Sequence, residues 1–342
     1  MIIRIYFLLG LLLLLNACGG GGGSSTSTTG FSQSYTTSAS AGELLTYSIN
    51  TAALTYSYTV TKSSYGCDVS TAACHSGSGT LVKNSDGTYS PSQSPTSKIF
   101  AAQNGLIAGN IVISLNGVNQ TVPIFGVSNP ITTITGLAGT YNSMSLQCTG
   151  KTYGLMTGCQ TSYGTVSIAT NGTFTSCNGA NIAATPHTCT STITGSIASL
   201  GNGTFQFQAT TPAGAATNYF LAFTAPNGQV VGVVDFNDAT VFGYGQSILS
   251  TSQSAAIADI AGTYVWNTDY GTSGTVTLNS TGTTSSGCAT NLNSPWTGIA
   301  TITGACNTGT GYGILAGNGV YVYTNPTTPS KPAYYELGLR IQ

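Results

Sequence analysis

The densest carboxylate cluster in this sequence is Asp235-Phe236-Asn237-Asp238, which closes the apolar run Val230-Val231-Gly232-Val233-Val234. Two carboxylates at a strand end are the raw material for acid–base work on a glycosidic bond, or for part of a calcium shell. The same residues also make ordinary turn caps, and nothing adjacent supplies the further oxygens of a calcium loop. The two glutamates, Glu43 and Glu336, stand near opposite ends of the chain, and the two histidines, His75 and His187, each lie close to a cysteine. No Gly-x-Ser-x-Gly elbow, His-Glu-x-x-His zinc motif, phosphate loop or dinucleotide fingerprint occurs. The sequence therefore names no catalytic residue, no metal site and no cofactor. A hydrolase built on Asp235 and Asp238 is the enzymatic alternative that survives.

Aromatic side chains are the other candidate machinery. The chain has 19 tyrosines, and Tyr56 with Tyr58, and Tyr321 with Tyr323, are spaced to share a strand face. On a buried face such pairs are core, and on an open face they form a stacking platform for a sugar ring or an apolar ligand. Trp266 and Trp296, both in the last third of the chain, carry the same two readings.

These side chains would be held by β-strands. Helical periodicity is almost absent beyond the first residues, whereas Leu54 to Thr61 alternates apolar and polar with period two. Further strands are expected at Asn110 to Leu115, Thr165 to Ala169, Thr204 to Ala209, Tyr219 to Thr224, Gln229 to Phe236, Gly319 to Tyr323 and Ala333 to Ile341. Pairs such as Asp86-Gly87, Asn171-Gly172, Asn202-Gly203 and Asn227-Gly228 separate the runs and accept the positive φ of tight hairpin turns. The pattern is an antiparallel meander.

Aligning turns exposes a repeat: GTLVKNSDGT at Gly79 to Thr88, GTVSIATNGT at Gly164 to Thr173 and GTVTLNSTGT at Gly274 to Thr283. Two copies follow near-identical openings, Leu137-Ala138-Gly139-Thr140-Tyr141 and Ile260-Ala261-Gly262-Thr263-Tyr264, and precede Cys177 and Cys288 at matching distance. Internal duplication accounts for this. The expected body is all-β, three tandem modules at 42–128, 131–250 and 255–342, each long enough for its own core. Strand pattern alone leaves small barrels and sandwiches open. The Gly-Thr-Tyr openings resemble the Gly-x-Trp opening of lipocalin-type barrels, with Tyr141 and Tyr264 standing where that family has tryptophan.

The first residues carry an address. Arg4 is followed by an apolar run from Ile5 to Leu15. As a helix this run reaches roughly 16 Å, about half a bilayer core, which is signal-peptide length rather than spanning length. It ends in Leu15-Asn16-Ala17-Cys18, which resembles the lipobox of bacterial lipoproteins, departing from it at Asn16. The resemblance implies cleavage after residue 17 and lipid on Cys18, and Gly19, in place of an aspartate, favours the outer membrane. Residues 18–41, opening with five glycines and a Ser/Thr run, read as a flexible tether. Eight of the nine cysteines then remain in an oxidising compartment, where disulfides are favoured over zinc sites such as Cys67, Cys74 and His75, or His187 with Cys189. Nearest-neighbour pairing joins Cys67 to Cys74, Cys148 to Cys159, Cys177 to Cys189 and Cys288 to Cys306, although the middle four formally allow other connectivities.

Charged residues make up 4% of the chain, against about 25% in a typical domain. That excludes a nucleic-acid binder and leaves the surface to hydroxyl and amide groups. The expected partners are the membrane, through the lipid, and proteins or glycans at the cell surface. Tandem repeats and an uncharged exterior point first to a non-enzymatic interaction, adhesion or envelope-assembly module. They point second to a binding module for a carbohydrate or small apolar ligand, on tyrosine platforms or in a barrel mouth.

Overall fold

The computed structural model describes residues 30–341 apart from 41, 64–75, 94–99, 104, 116–117, 153–154, 182–187, 212–213, 226, 239–242, 269–271, 305–309, 316–318 and 326–333. The first module runs β1 (Ser32–Ala39), β2 (Glu43–Asn50), β3 (Thr55–Ser63), β4 (Ser76–Lys83), β5 (Tyr89–Pro91), β6 (Phe100–Gln103), β7 (Leu106–Leu115) and β8 (Val118–Val127). Each strand pairs with the next, and β1 closes on β8 from Thr36 opposite Val127 to Ala39 opposite Ile124. This is barrel 1. Its opening strand corrects the tether boundary: Ser32–Ala39 lies within the stretch that composition assigns to flexible linker. Tyr35 and Ala39, buried among the apolar residues of barrel 1, decide the matter against the hydroxyl-rich sequence around them.

Barrel 2 repeats the plan with β9 (Gly139–Thr152), β10 (Leu155–Ile168), β11 (Thr173–Asn178), β12 (Ser191–Gly201), β13 (Thr204–Thr211), β14 (Gly214–Thr224), β15 (Val230–Asp238) and β16 (Gly243–Thr251). It closes through β16 on β9. The third module has β17 (Gly262–Thr268), β18 (Ser273–Leu278), β19 (Cys288–Leu292), β20 (Ala300–Gly304), β21 (Gly311–Leu315), β22 (Val320–Asn325) and β23 (Tyr334–Arg340). Its first strand pairs with its last, as in barrel 2. Between β18 and β19 only the isolated bridges Leu278 to Thr284 and Thr283 to Ala289 are made, so the circle stays a seven-stranded sheet. The chain is thus all-β with tandem antiparallel modules, and each strand expected from the sequence lies in or overlaps one of these.

The repeated decapeptide is one turn used three times. The amides of Asn84, Ala169 and Asn279 donate to the carbonyls of Thr88, Thr173 and Thr283 at 2.8, 2.8 and 3.0 Å. Asp86 and Asn171 each accept from both the amide and the hydroxyl of the threonine two residues on, and Asn279 takes over that work in the third copy. In barrel 2 and the third sheet the turn follows the second strand, whereas in barrel 1 it joins the fourth to the fifth. The openings match as well. A short helical turn, Ile134–Leu137 or Ile257–Ile260, leads into the first strand, and a buried tyrosine hydroxyl reaches back to its last carbonyl, Tyr141 to Leu137 and Tyr264 to Ile260. Burial pushes both phenols up to about 12.

The modules do not have separate cores alone. Residues 31–342 form one compact unit, and its largest apolar cluster lies outside the barrel interiors. Leu44, Leu106, Phe125 and Val127 of barrel 1 meet Met144, Leu146, Val231, Val233 and Ile248 of barrel 2, and Ile314, Val320, Val322, Leu337 and Leu339 of the third sheet. This explains the unbroken apolar run Val230 to Val234. Val231 and Val233 face the shared core while Val234 and Phe236 face the barrel 2 interior, so neither side of β15 needs polar residues. Among the described residues no helix is long and apolar enough to cross a membrane.

Candidate functional site

A cavity of about 510 Å³ occupies the interior of barrel 2. Strand alternation sends Ser143, Ser145, Gln147 and Thr149 of β9 inward, with Gln160 and Ser162 of β10 and Ser247 of β16 beside them. Val166, Phe174, Ile193, Phe207, Val234 and Phe236 supply the apolar lining. Below it Tyr141, Ile168, Ile197, Phe205 and Phe220 pack the barrel shut above the short helical turn. At the other end Thr149, Gly158, Gln160 and Ser191 are exposed, which makes that end the mouth. Among the described residues none that lines the cavity carries a charge, and Asp238, on the same face of β15 as Val234 and Phe236 and opposite Gly243, stands toward its mouth.

β16 adds no side chain to the upper wall. Gly243 and Gly245 occupy positions that share a face with Ser247 and Leu249. Both have positive φ, 71° and 137°, and a Cβ at either would stand within 2.1 Å of a β9 carbonyl oxygen, so larger residues are barred. The wall of small residues is pinned where β9 meets β10 by the disulfide Cys148–Cys159, and the loop after β11 is tied by Cys177–Cys189. Cys189 is therefore not available as a zinc ligand. Cys288 is also disulfide-bonded. Cys18, Cys67, Cys74, Cys306, His75 and His187 lie outside the described residues.

The aromatic residues singled out in the sequence line other spaces. Tyr56 and Tyr58 are 8% and 6% exposed and fill barrel 1, their rings lying against Gly79 and Gly77 across the β3–β4 pair. They are core, not a platform. Trp296 joins modules: its ring stacks on Tyr163 at 5.6 Å, and its Nε1 donates to Asn142 Oδ1 at 2.8 Å. Tyr321 and Tyr323 share the concave face of the third sheet with Glu336, and alternation from Tyr264 puts Trp266 on that face too. The Tyr321 hydroxyl lies 3.5 Å from Glu336 Oε1. Burial raises the Glu336 carboxyl to about 7, against hydrogen bonds from Tyr334 and Tyr321 that lower it.

Asp235 and Asp238 are not brought together. Residues three apart on a strand face opposite ways, and Asp235 is turned out of barrel 2 toward barrel 1, where Ser38 Oγ donates to its Oδ1 at 2.9 Å. At 1% exposure it belongs to the module junction. The arrangement supplies no pair of carboxylates flanking a cleft. Among the described residues no group of three His, Cys, Asp or Glu side chains is placed to hold a metal.

The hydroxyl and amide lining of barrel 2 is the feature sequence reasoning missed. Its signal is present in Ser143-Met144-Ser145-Leu146-Gln147-Cys148-Thr149, a clean alternation. The polar set faces the lumen and the apolar set faces the shared core, the reverse of an ordinary one-side-buried strand.

No family model matches this chain, and no curated protein matches it. The solved structure of a protein of unknown function from the DUF3598 family of Nostoc punctiforme is similar at 8% identity and a TM-score of 0.24, across 65% of this chain and 94% of that one.

Proposed function

We propose that this chain is an exported, lipid-anchored binding protein of the bacterial cell envelope, and that barrel 2 takes up a small uncharged ligand. The observation that carries the reading is the cavity, about 510 Å³, inside the range of roughly 300–1,000 Å³ typical of small-molecule sites. It is open at one end, closed by packed aromatics at the other, and lined without charge among the described residues. The lipobox at Leu15 to Cys18, the tether behind it and the disulfides of barrel 2 support the address. The cavity favours the binding module over the interaction or adhesion module to which composition pointed first, and the separated carboxylates argue against the hydrolase.

The test is titration of the mature protein with the uncharged dye N-phenyl-1-naphthylamine. Saturable binding is expected, weakened by about tenfold or more in Ser162→Trp, whose indole fills the lumen. Dye binding that is absent, or indifferent to Ser162→Trp, removes the site. Palmitate labelling that persists in Cys18→Ser removes the anchor.

A further inference from the structure

Resting on the reading of barrel 2 as a binding site, we infer that its ligand is a neutral saccharide, one or two sugar rings in size. The lining is weighted by wall, polar side chains gathering on one side and aromatic ones on the other. β9 pairs with both β10 and β16, so Ser143, Ser145, Gln147, Gln160, Ser162 and Ser247 form one continuous strip of hydroxyls and carboxamides. The rest of the circle presents mainly apolar side chains, Ile193, Phe207, Val234 and Phe236, with Phe174 stacked on Phe207 at a centroid separation of 3.9 Å; Ser176, Asn178 and Ser191 add polar groups on β11 and β12, and Val166 and Leu249 add apolar ones on β10 and β16.

A sugar ring has the same division. Its C–H faces are apolar and stack on aromatic rings, while its rim is a set of hydroxyls that both donate and accept. Serine hydroxyls and glutamine carboxamides also do both, so the strip can meet a hydroxyl rim in whichever sense each hydroxyl requires. An alkyl chain in the same space would strip water from the polar strip and return no hydrogen bond, which leaves buried polar groups unpaired. A carboxylate, phosphate or ammonium ligand would lose its hydration with no opposite charge among the described lining residues to replace it. A neutral, polyhydroxylated ring satisfies both walls.

The experiment is calorimetric titration of the full mature protein with neutral mono- and disaccharides of the gluco, galacto, manno and N-acetylhexosamine series. Glucuronate, glucosamine and octanoate serve as charged and apolar comparisons, and N-phenyl-1-naphthylamine reports the cavity itself. A neutral sugar is expected to bind and displace the dye, with its charged counterpart weaker by about tenfold or more. Gln160→Leu, near the mouth and away from the packed floor, is expected to weaken the sugar by about tenfold while the uncharged dye still binds no more weakly than before, and a parallel loss of dye would overturn the assignment of Gln160 to the sugar. Dye or octanoate binding with no sugar overturns the saccharide and leaves the binding site standing. Dye, octanoate and sugars all failing to bind overturns both.

Discussion

Barrel 2 and the third sheet start from the same opening, carry the same turn after the second strand and close first strand on last, yet one is hollow and the other is filled. The difference begins two residues past the shared tyrosine. Tyr141 is followed on the lumen side by Ser143 and Ser145, and Tyr264 by Trp266 and Thr268. The closing strand differs in kind as well. Ser143 and Ser145 stand opposite Leu249 and Ser247, whereas Trp266 and Thr268 stand opposite Gly338 and Glu336. In the third sheet an aromatic ring lies over each of two glycines, Trp266 on Gly274 and Tyr323 on Gly311. At Gly243 and Gly245 of barrel 2 the nearest atoms belong to the β9 backbone, with no ring among them. A duplicated frame thus gives a container or a plug according to a few inward positions, while the outward positions of both serve one shared core.

The largest effect is expected where the two regions are alike, in that common core. Leu146→Ala or Leu337→Ala each leaves a cavity among residues from all three modules and is expected to cost about 2–5 kcal/mol. Denaturant unfolding followed by tyrosine fluorescence should show one transition shifted as a whole. Separate transitions for barrel 1 and the rest would mean that the cluster does not couple the modules.

The tyrosines of the two openings provide the next comparison. Tyr141→Phe and Tyr264→Phe each remove the donor that reaches the carbonyl of Leu137 or Ile260 in a buried setting, and each is expected to cost about 1–3 kcal/mol. Similar losses in thermal unfolding would confirm equivalent roles, and a loss confined to one would break the structural parallel.

Glu336 separates the filled region from the hollow one by pH. Its carboxyl sits at about 7, above its unfolded value near 4.5, because burial penalises the charge. Its contribution is therefore whole below about pH 4.5 and is lost as the pH rises through 7. Glu336→Gln, which mimics the neutral acid, is expected to gain roughly 1–3 kcal/mol at pH 8 and nothing at pH 4. An equal change at both values in urea titrations would show that the ionisation is not what the fold resists.

How much of this was legible beforehand depended on which side of a strand the chain used for its core. The β3 pattern Thr55 to Val60 told the truth directly, because barrel 1 buries Tyr56, Tyr58 and Val60 and exposes the residues between them. The alternation of β9 is equally clear and also marks its apolar side as buried, but no local signal reveals that Met144 and Leu146 pack against other modules and not inside the barrel. The disulfides of barrel 2 followed from short spacing, and β10 and β9 indeed set Cys159 opposite Cys148. The strand at Ser32–Ala39 was hidden because Ser and Thr serve a barrel wall as readily as a linker. The candidate site itself was illegible for the same reason: its residues are the commonest in the chain, and only closure of the circle gathers them.

The finest test converts one region toward the other. Ser143→Trp copies into barrel 2 the residue that the third sheet has at the matching place. In a close-packed interior an added indole costs about 1–3 kcal/mol through forced shifts. Here the side chain enters existing space, and the Ser145–Ser247 hydroxyl pair of the strip, 2.7 Å apart, can stay bonded beside it. Stability is therefore expected to move by less than about 1 kcal/mol, while uptake of the uncharged dye falls away. A large loss of stability would mean that the β9 wall has no room behind it, and retained dye binding would mean that the dye sits elsewhere. Either outcome would break the contrast between container and plug at its first residue.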